Sequence, residues 1–131
     1  MVKLGITSRG ERIESTMAAA GMAWWELEFP SGALSFSKNK TDMLGYDSKD
    51  FVHFSNFTDL IHPDDIDKTM KAMSDHYNGK AEFYETRYRI KASDGSYKTF
   101  YDKGSIVEHN GDNFIVAGVV VDVTNLDLEA L

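Results

Sequence analysis

The 131 residues predict an α+β fold: a five-stranded antiparallel sheet with several short helices and one longer helix on one face, plus an N-terminal helix. Three observations predict it. Two runs near the start alternate apolar and polar residues around Pro30-Ser31-Gly32. Three longer alternating runs close the chain around Asp94-Gly95 and Asn110-Gly111, pairs that suit the tight turns of hairpins. Between these groups residues 37–77 lose the two-residue period and carry helix starts and stops instead. Strands segregated from helices give a sheet with helices on one side.

Residues 1–10 read as a polar lead-in, and 11–20 as a flanking helix in which Ile13, Met17 and Ala20 recur near helical spacing before Gly21. That stripe is narrow, so the helix must rest on the domain or on a second copy. Trp24 to Phe29 alternates Trp25, Leu27 and Phe29 against Glu26 and Glu28, and Ala33 to Ser37 places Leu34 and Phe36 on one face. Ser37 is a candidate N-cap for a short helix running to about Leu44, with Gly45 as its stop. Short helical turns follow to Ile61. His62-Pro63-Asp64-Asp65 then starts the long helix, since proline fits the first turn and aspartates complement the positive helix end. Ile66, Met70, Met73 and Tyr77 form its apolar stripe, expected to face the core, and Asn78-Gly79 ends it.

Strands are predicted over Glu82–Lys91, Tyr97–Glu108 and Phe114–Thr124. In the first, Tyr84, Thr86, Tyr88 and Ile90 oppose Glu85, Arg87, Arg89 and Lys91. The last is apolar on both faces, with Ile115, Ala117, Val119, Val121 and Val123 on one and Phe114, Val116 and Val120 on the other. Such a strand is covered twice, by the helices on one side and by the flanking helix, a partner subunit, or both on the other. The folded domain is thus residues 21–124, and 125–131 read as the start of an output helix.

Composition narrows function. A net charge of −7 with scattered lysines leaves no basic patch for nucleic acid or for an anionic membrane surface. No apolar run approaches the ~20 residues of a span, so no membrane insertion is expected. The absence of cysteine excludes disulfides, thiolate nucleophiles and Cys-based metal sites, and matches a cytoplasmic setting.

Taken in order, Trp24-Trp25-Glu26-Leu27-Glu28, Ser31-Gly32, Met43-Leu44-Gly45-Tyr46, Leu60-Ile61-His62-Pro63-Asp64-Asp65, Tyr88-Arg89, Asp94-Gly95-Ser96-Tyr97, Lys103-Gly104, Gly118 and Asp122-Val123-Thr124 resemble the PAS family, in the variant common in prokaryotic sensor histidine kinases. The resemblance covers about Gly21 to Thr124. It implies a sheet cupped around a small cavity, and a segment after Asp122-Val123-Thr124 that carries the signal into an output helix and the effector domain of a larger protein. Two positions depart from the family. Thr99 stands where a tryptophan is frequent and Arg87 where a glutamate is frequent, and the alternation puts both on the outer sheet face.

The resemblance makes the chain a sensory input module rather than an enzyme. Candidate cavity residues are Trp25, Leu27, Phe36, Met43, Leu60, Met70, Met73, Tyr77, Tyr88, Phe100 and Asp102, against the alternative that most of them are plain core. Gly104 is expected to leave open volume beside Asp102. Asp102 itself is a ligand-binding group, part of a polar network, or exposed at the rim, because an unpaired buried carboxylate is costly. Asp122, Val123 and Thr124 are the candidate output residues, Asp122 serving either signalling or a strand-end cap. The sequence names no cofactor. A covalent flavin adduct needs a cysteine, and a haem needs an axial histidine on the inward stripe, where Met70 and Met73 stand. His76 is expected at the boundary or surface, His62 in the helix start, and His53 and His109 in solvated loops. No nucleophile–base pair, phosphate loop or metal cluster is present. The leading expectation is a small-molecule ligand. The rival is a ligand-free module that dimerises through the N-terminal helix (Ile13, Met17, Ala20) and the outer sheet face.

Overall fold

The computed structural model describes residues 5–126. Strands β1 (Met22–Phe29), β2 (Leu34–Phe36), β3 (Tyr84–Lys91), β4 (Tyr97–Asn110) and β5 (Asn113–Asp122) form one antiparallel sheet in the order β2-β1-β5-β4-β3. The last strand is therefore the central one, paired with β1 through Trp25↔Gly118 and with β4 through Gly104↔Gly118. Its inward row, Phe114, Val116 and Val120, is buried, and its outward row, Ile115, Ala117, Val119 and Val121, is half-buried. The predicted alternation holds in β1 and β3 as well, with Trp25, Leu27, Tyr84, Tyr88 and Ile90 all buried. Thr99 and Arg87 do lie on the outer face, the rows opposite Phe100 and Tyr88. Helices α2 (Asn39–Asp42), α3 (Ser55–Thr58) and α4 (Pro63–Tyr77) cover the inner face.

Helix α1 (Arg9–Ala19) begins two residues before the predicted start, because Ser8 and Glu11 form a reciprocal capping box. The Ser-x-x-Glu signal lies in the segment read as lead-in. No residue of α1 is buried; Ile13 is exposed and Met17 half-buried. One hydrogen bond, from Trp24 Nε1 to Glu14 Oε1 at 2.6 Å, ties the helix to the outer side of β1.

Ser37 does not cap α2. Its hydroxyl accepts the Trp24 backbone N–H at 3.0 Å, joining the loop to β1 instead. At the other end of the domain, Asn125 is in a turn and Leu126 is not helical; residues 127–131 of the predicted output helix lie outside the described residues.

The stripe predicted for α4 is rotated. Asp65, Thr69 and His76 face inward, whereas Met70 and Tyr77 are exposed by 43% and 57%. Polar residues win the inner face because backbone groups await them there. Asp65 takes the Arg89 backbone N–H at 2.8 Å and the Arg89 guanidinium at 2.9 and 3.0 Å. His76, expected at the boundary or surface, is buried between the Ala81 carbonyl and the Ile106 N–H, each 3.0 Å away. Since one partner only accepts and the other only donates, Nδ1 carries the ring proton and Nε2 accepts. His62 caps α4 as predicted, accepting the Asp64 N–H at 3.0 Å. His53 is not solvated: it is half-buried, its ring packs over Gly32, and Nδ1 meets Ser55 Oγ at 2.9 Å. His109 is exposed, but within β4 rather than in a loop.

Candidate functional site

A cavity of about 430 Å³ lies between the inner sheet face and the helices, within the size range of small-molecule sites. Its floor includes Trp25, Leu27, Tyr84, Tyr88 and Phe114, its roof Phe57, Ile61 and Met73, and its mouth Met70 and Tyr77. The lining is mainly apolar, and the polar groups within it are few and specific.

Asp102 is their centre. It is 5% exposed on β4. Oδ1 accepts Trp25 Nε1–H at 2.6 Å and Oδ2 accepts the Tyr88 hydroxyl at 2.9 Å. Burial raises its carboxyl, while Lys40 and the neighbouring Tyr88, Trp25 and Tyr84 groups oppose the rise. Tyr84 and Tyr88 are pushed well above their ordinary value, first by burial and then by the Asp102 charge. Both are therefore neutral donors at physiological pH.

Two glycines set the indole. Gly104 and Gly118 face each other across β4 and β5. A Cβ on Gly104 would come 2.6 Å from the Ala117 carbonyl and 2.9 Å from Trp25 Cη2. One on Gly118 would come 2.5 Å from the Lys103 carbonyl and into the Trp25 ring. The space expected to stand open beside Asp102 is thus filled by Trp25, which is what aims Nε1 at the carboxylate.

Lys40 is the residue that sequence reasoning missed. It is 6% exposed, lines the cavity, and has its Nζ 3.5 Å from the Phe57 ring centroid. It makes no ion pair or hydrogen bond among the described residues. Burial lowers its amine to about 8, against a smaller opposing pull from Asp102. A four-residue helix offers no periodicity from which an inward lysine could be read. Thr69 is the second such group: its hydroxyl is buried at the cavity wall without a partner among the described residues.

Of the predicted lining, Trp25, Leu27, Met70, Met73, Tyr77, Tyr88 and Asp102 do surround the cavity. Phe36, Met43, Leu60 and Phe100 do not; Phe100 is fully buried core, and the other three pack around that core. At the far end of β5, Asp122 Oδ1 accepts the Thr124 N–H at 3.0 Å and its hydroxyl at 2.5 Å. Thr124 Oγ1 accepts the Thr99 N–H at 2.9 Å, and Lys98 pairs with Asp122 at 3.6 Å. Asp122 is thus a strand-end cap in structure. No group of three or more metal-binding side chains occurs among the described residues, and none of the described helices is long and apolar enough to cross a membrane.

Known proteins share this fold. The family described as the PAS fold matches residues 33–120. A methyl sulfide methyltransferase-associated sensor of Methanosarcina acetivorans is 27% identical over 103 residues, 76% of this chain and 10% of that protein. A blue-light-activated histidine kinase of Brucella ovis is 25% identical over 114 residues, 87% of this chain and 22% of that protein. The chain therefore spans between about a tenth and a quarter of the length of these curated relatives. Among solved structures, a sensory box histidine kinase/response regulator from Burkholderia thailandensis superposes with a TM-score of 0.72 at 21% identity, covering 91% of this chain and 89% of that one.

Proposed function

The chain belongs to the PAS fold family and is a sensory input domain, and from that premise we propose that its input is a small molecule held in the cavity and its output leaves through the end of β5. On this reading the parent is a cytoplasmic signalling protein with an effector domain, a sensor histidine kinase by its likeness to the blue-light-activated histidine kinase, and the domain itself is non-catalytic. The observation that carries the reading is a cavity of about 430 Å³ in which the Lys40 ammonium and the Thr69 hydroxyl have no hydrogen-bond or ion-pair partner among the described residues. A finished core leaves no buried polar group unsatisfied, so these two groups belong to something the cavity receives.

β5 links cavity to output. Phe114 lines the cavity, Gly118 holds Trp25, and Asp122 ends the strand. A ligand that reseats Trp25 between two packings would shift the population of the Asp122–Thr124–Thr99 turn without any chemical step. The test is a resonance-by-resonance titration of the chain with a ligand found by thermal stabilisation. The amides of Asp122, Val123 and Thr124 are expected to move along with cavity residues. Shifts confined to the cavity would overturn the output assignment.

A second reading has its own support. The outward row of β5 is apolar and α1, which buries nothing, lies over the same side of the sheet. An 11-residue helix without buried contacts is marginal alone. On this reading α1 and the outer sheet face form a homodimer, with or without a ligand. A strictly monomeric chain at high concentration would remove it.

A further inference from the structure

The cavity's polar groups are asymmetric. Asp102 already holds donors on both oxygens, from Trp25 and Tyr88. Lys40, buried to 6% exposure, has its Nζ over the face of Phe57 and no hydrogen-bond or ion-pair partner among the described residues, and the Thr69 hydroxyl likewise has none there. What the pocket lacks is therefore an acceptor, not a donor. The π-face of Phe57 attracts the ammonium weakly compared with an anion in a desolvated site. Asp102 is close enough to act on Lys40 through space yet forms no ion pair with it. The rest of the wall is mainly aliphatic and aromatic; of its other polar residues Ser74 and Asp112 are exposed and Thr58 is half-buried, and the volume sits at the lower end for ligand sites.

Resting on the reading that the cavity takes a ligand, we infer that this ligand is a small apolar monocarboxylate, its carboxylate paired with Lys40 and its aromatic or aliphatic body packed against Trp25, Leu27 and Met73. One negative charge is what one unpaired ammonium accommodates. A phosphate would bring a second charge into a site that already holds the Asp102 carboxylate, and a neutral amide would leave the ammonium uncompensated. Thr69 supplies a hydroxyl for the remaining acceptor capacity of the same ligand.

The test titrates the chain with phenylacetate, indole-3-acetate and octanoate, and with the uncharged amide of each, by calorimetry and by the Trp25 indole N–H resonance. The wild type is expected to bind at least one acid about tenfold or more tighter than its amide, the range for losing a charge-assisted hydrogen bond. Lys40→Met, which keeps the length of the stem, is expected to erase that preference while retaining the fold and the amide's affinity. Thr69→Val gives a second, smaller loss for the acid. Equal binding of acids and amides, or a preference that survives Lys40→Met, would overturn the carboxylate assignment and leave the cavity reading standing. If no acid or amide moves the Trp25 resonance saturably, both fall together.

Discussion

At the scale of single residues, the most informative side chain is one that costs stability. Lys40 is held at about 8 in the folded chain, against about 10.4 when unfolded. Between those values the unfolded chain binds more protons, so folding strengthens as pH rises from about 8 towards 10. Tyr84 and Tyr88 act the other way above about 10, because only the unfolded chain can ionise them there. Lys40→Met should therefore be more stable than the wild type at pH 7, by about 1–3 kcal/mol, and should lose the alkaline gain. Urea unfolding at several pH values reads both. A less stable Lys40→Met would mean that the amine has a structural partner after all. Gly118 offers the opposite case. An alanine there meets the Lys103 carbonyl, which cannot swing aside, and the Trp25 ring, which can move only by releasing Asp102. Gly118→Ala should cost about 2–3 kcal/mol or more and quench or shift Trp25 fluorescence; a silent substitution would contradict the indole slot.

At the scale of elements, α4 shows what the sequence revealed and what it hid. Its boundaries were legible from His62-Pro63-Asp64-Asp65 and Asn78-Gly79, since caps are local chemistry. Its rotation was not. Hydropathy assigns Asp65 and His76 to solvent, and only the distant strands reveal that Arg89 and Ile106 present backbone N–H groups to them. Met70 and Tyr77 line the cavity as expected, but at its exposed rim rather than on a core-facing stripe. The Asp65 pairing makes a prediction. Arg89 holds the Asp65 carboxyl well below the usual carboxylate range, chiefly by side-chain hydrogen bonding. Its contribution is complete above about pH 4 and is lost as pH falls further. Asp65→Asn should cost about 1.5–3 kcal/mol at pH 7 and flatten the acid limb of the stability curve. An acid limb as steep as that of the wild type would place the acid sensitivity elsewhere. The strands, by contrast, were legible to within two residues at their ends, because a period of two read from Trp25, Leu27, Tyr84, Tyr88 and Val116 depends on nothing distant, although Val123, read as outward in the last strand, lies beyond β5 and is buried.

At the scale of the whole molecule, the order β2-β1-β5-β4-β3 puts the last strand at the centre, between a cavity on one side and α1 on the other. The family, the sheet and seven of the cavity residues could be named from the sequence. Lys40 and Thr69 could not, because a buried polar residue on a helix is read as surface until its neighbours are known. They are also the residues on which the proposed ligand recognition rests. A fold that spends stability on Lys40, leaves the Thr69 hydroxyl without a partner among the described residues and reserves two glycines for one indole is what the proposed occupant would explain.

The measurement that tests this most directly is an NMR titration with indole and with indole-3-acetate, following the two tryptophan indole N–H resonances. Trp25 lines the cavity and donates to Asp102, whereas Trp24 donates to Glu14 on the outer face. The account predicts that the Trp25 resonance moves saturably while that of Trp24 stays put. If neither resonance moves, or if both move together without saturation, the cavity is not a binding site and the proposed input is wrong.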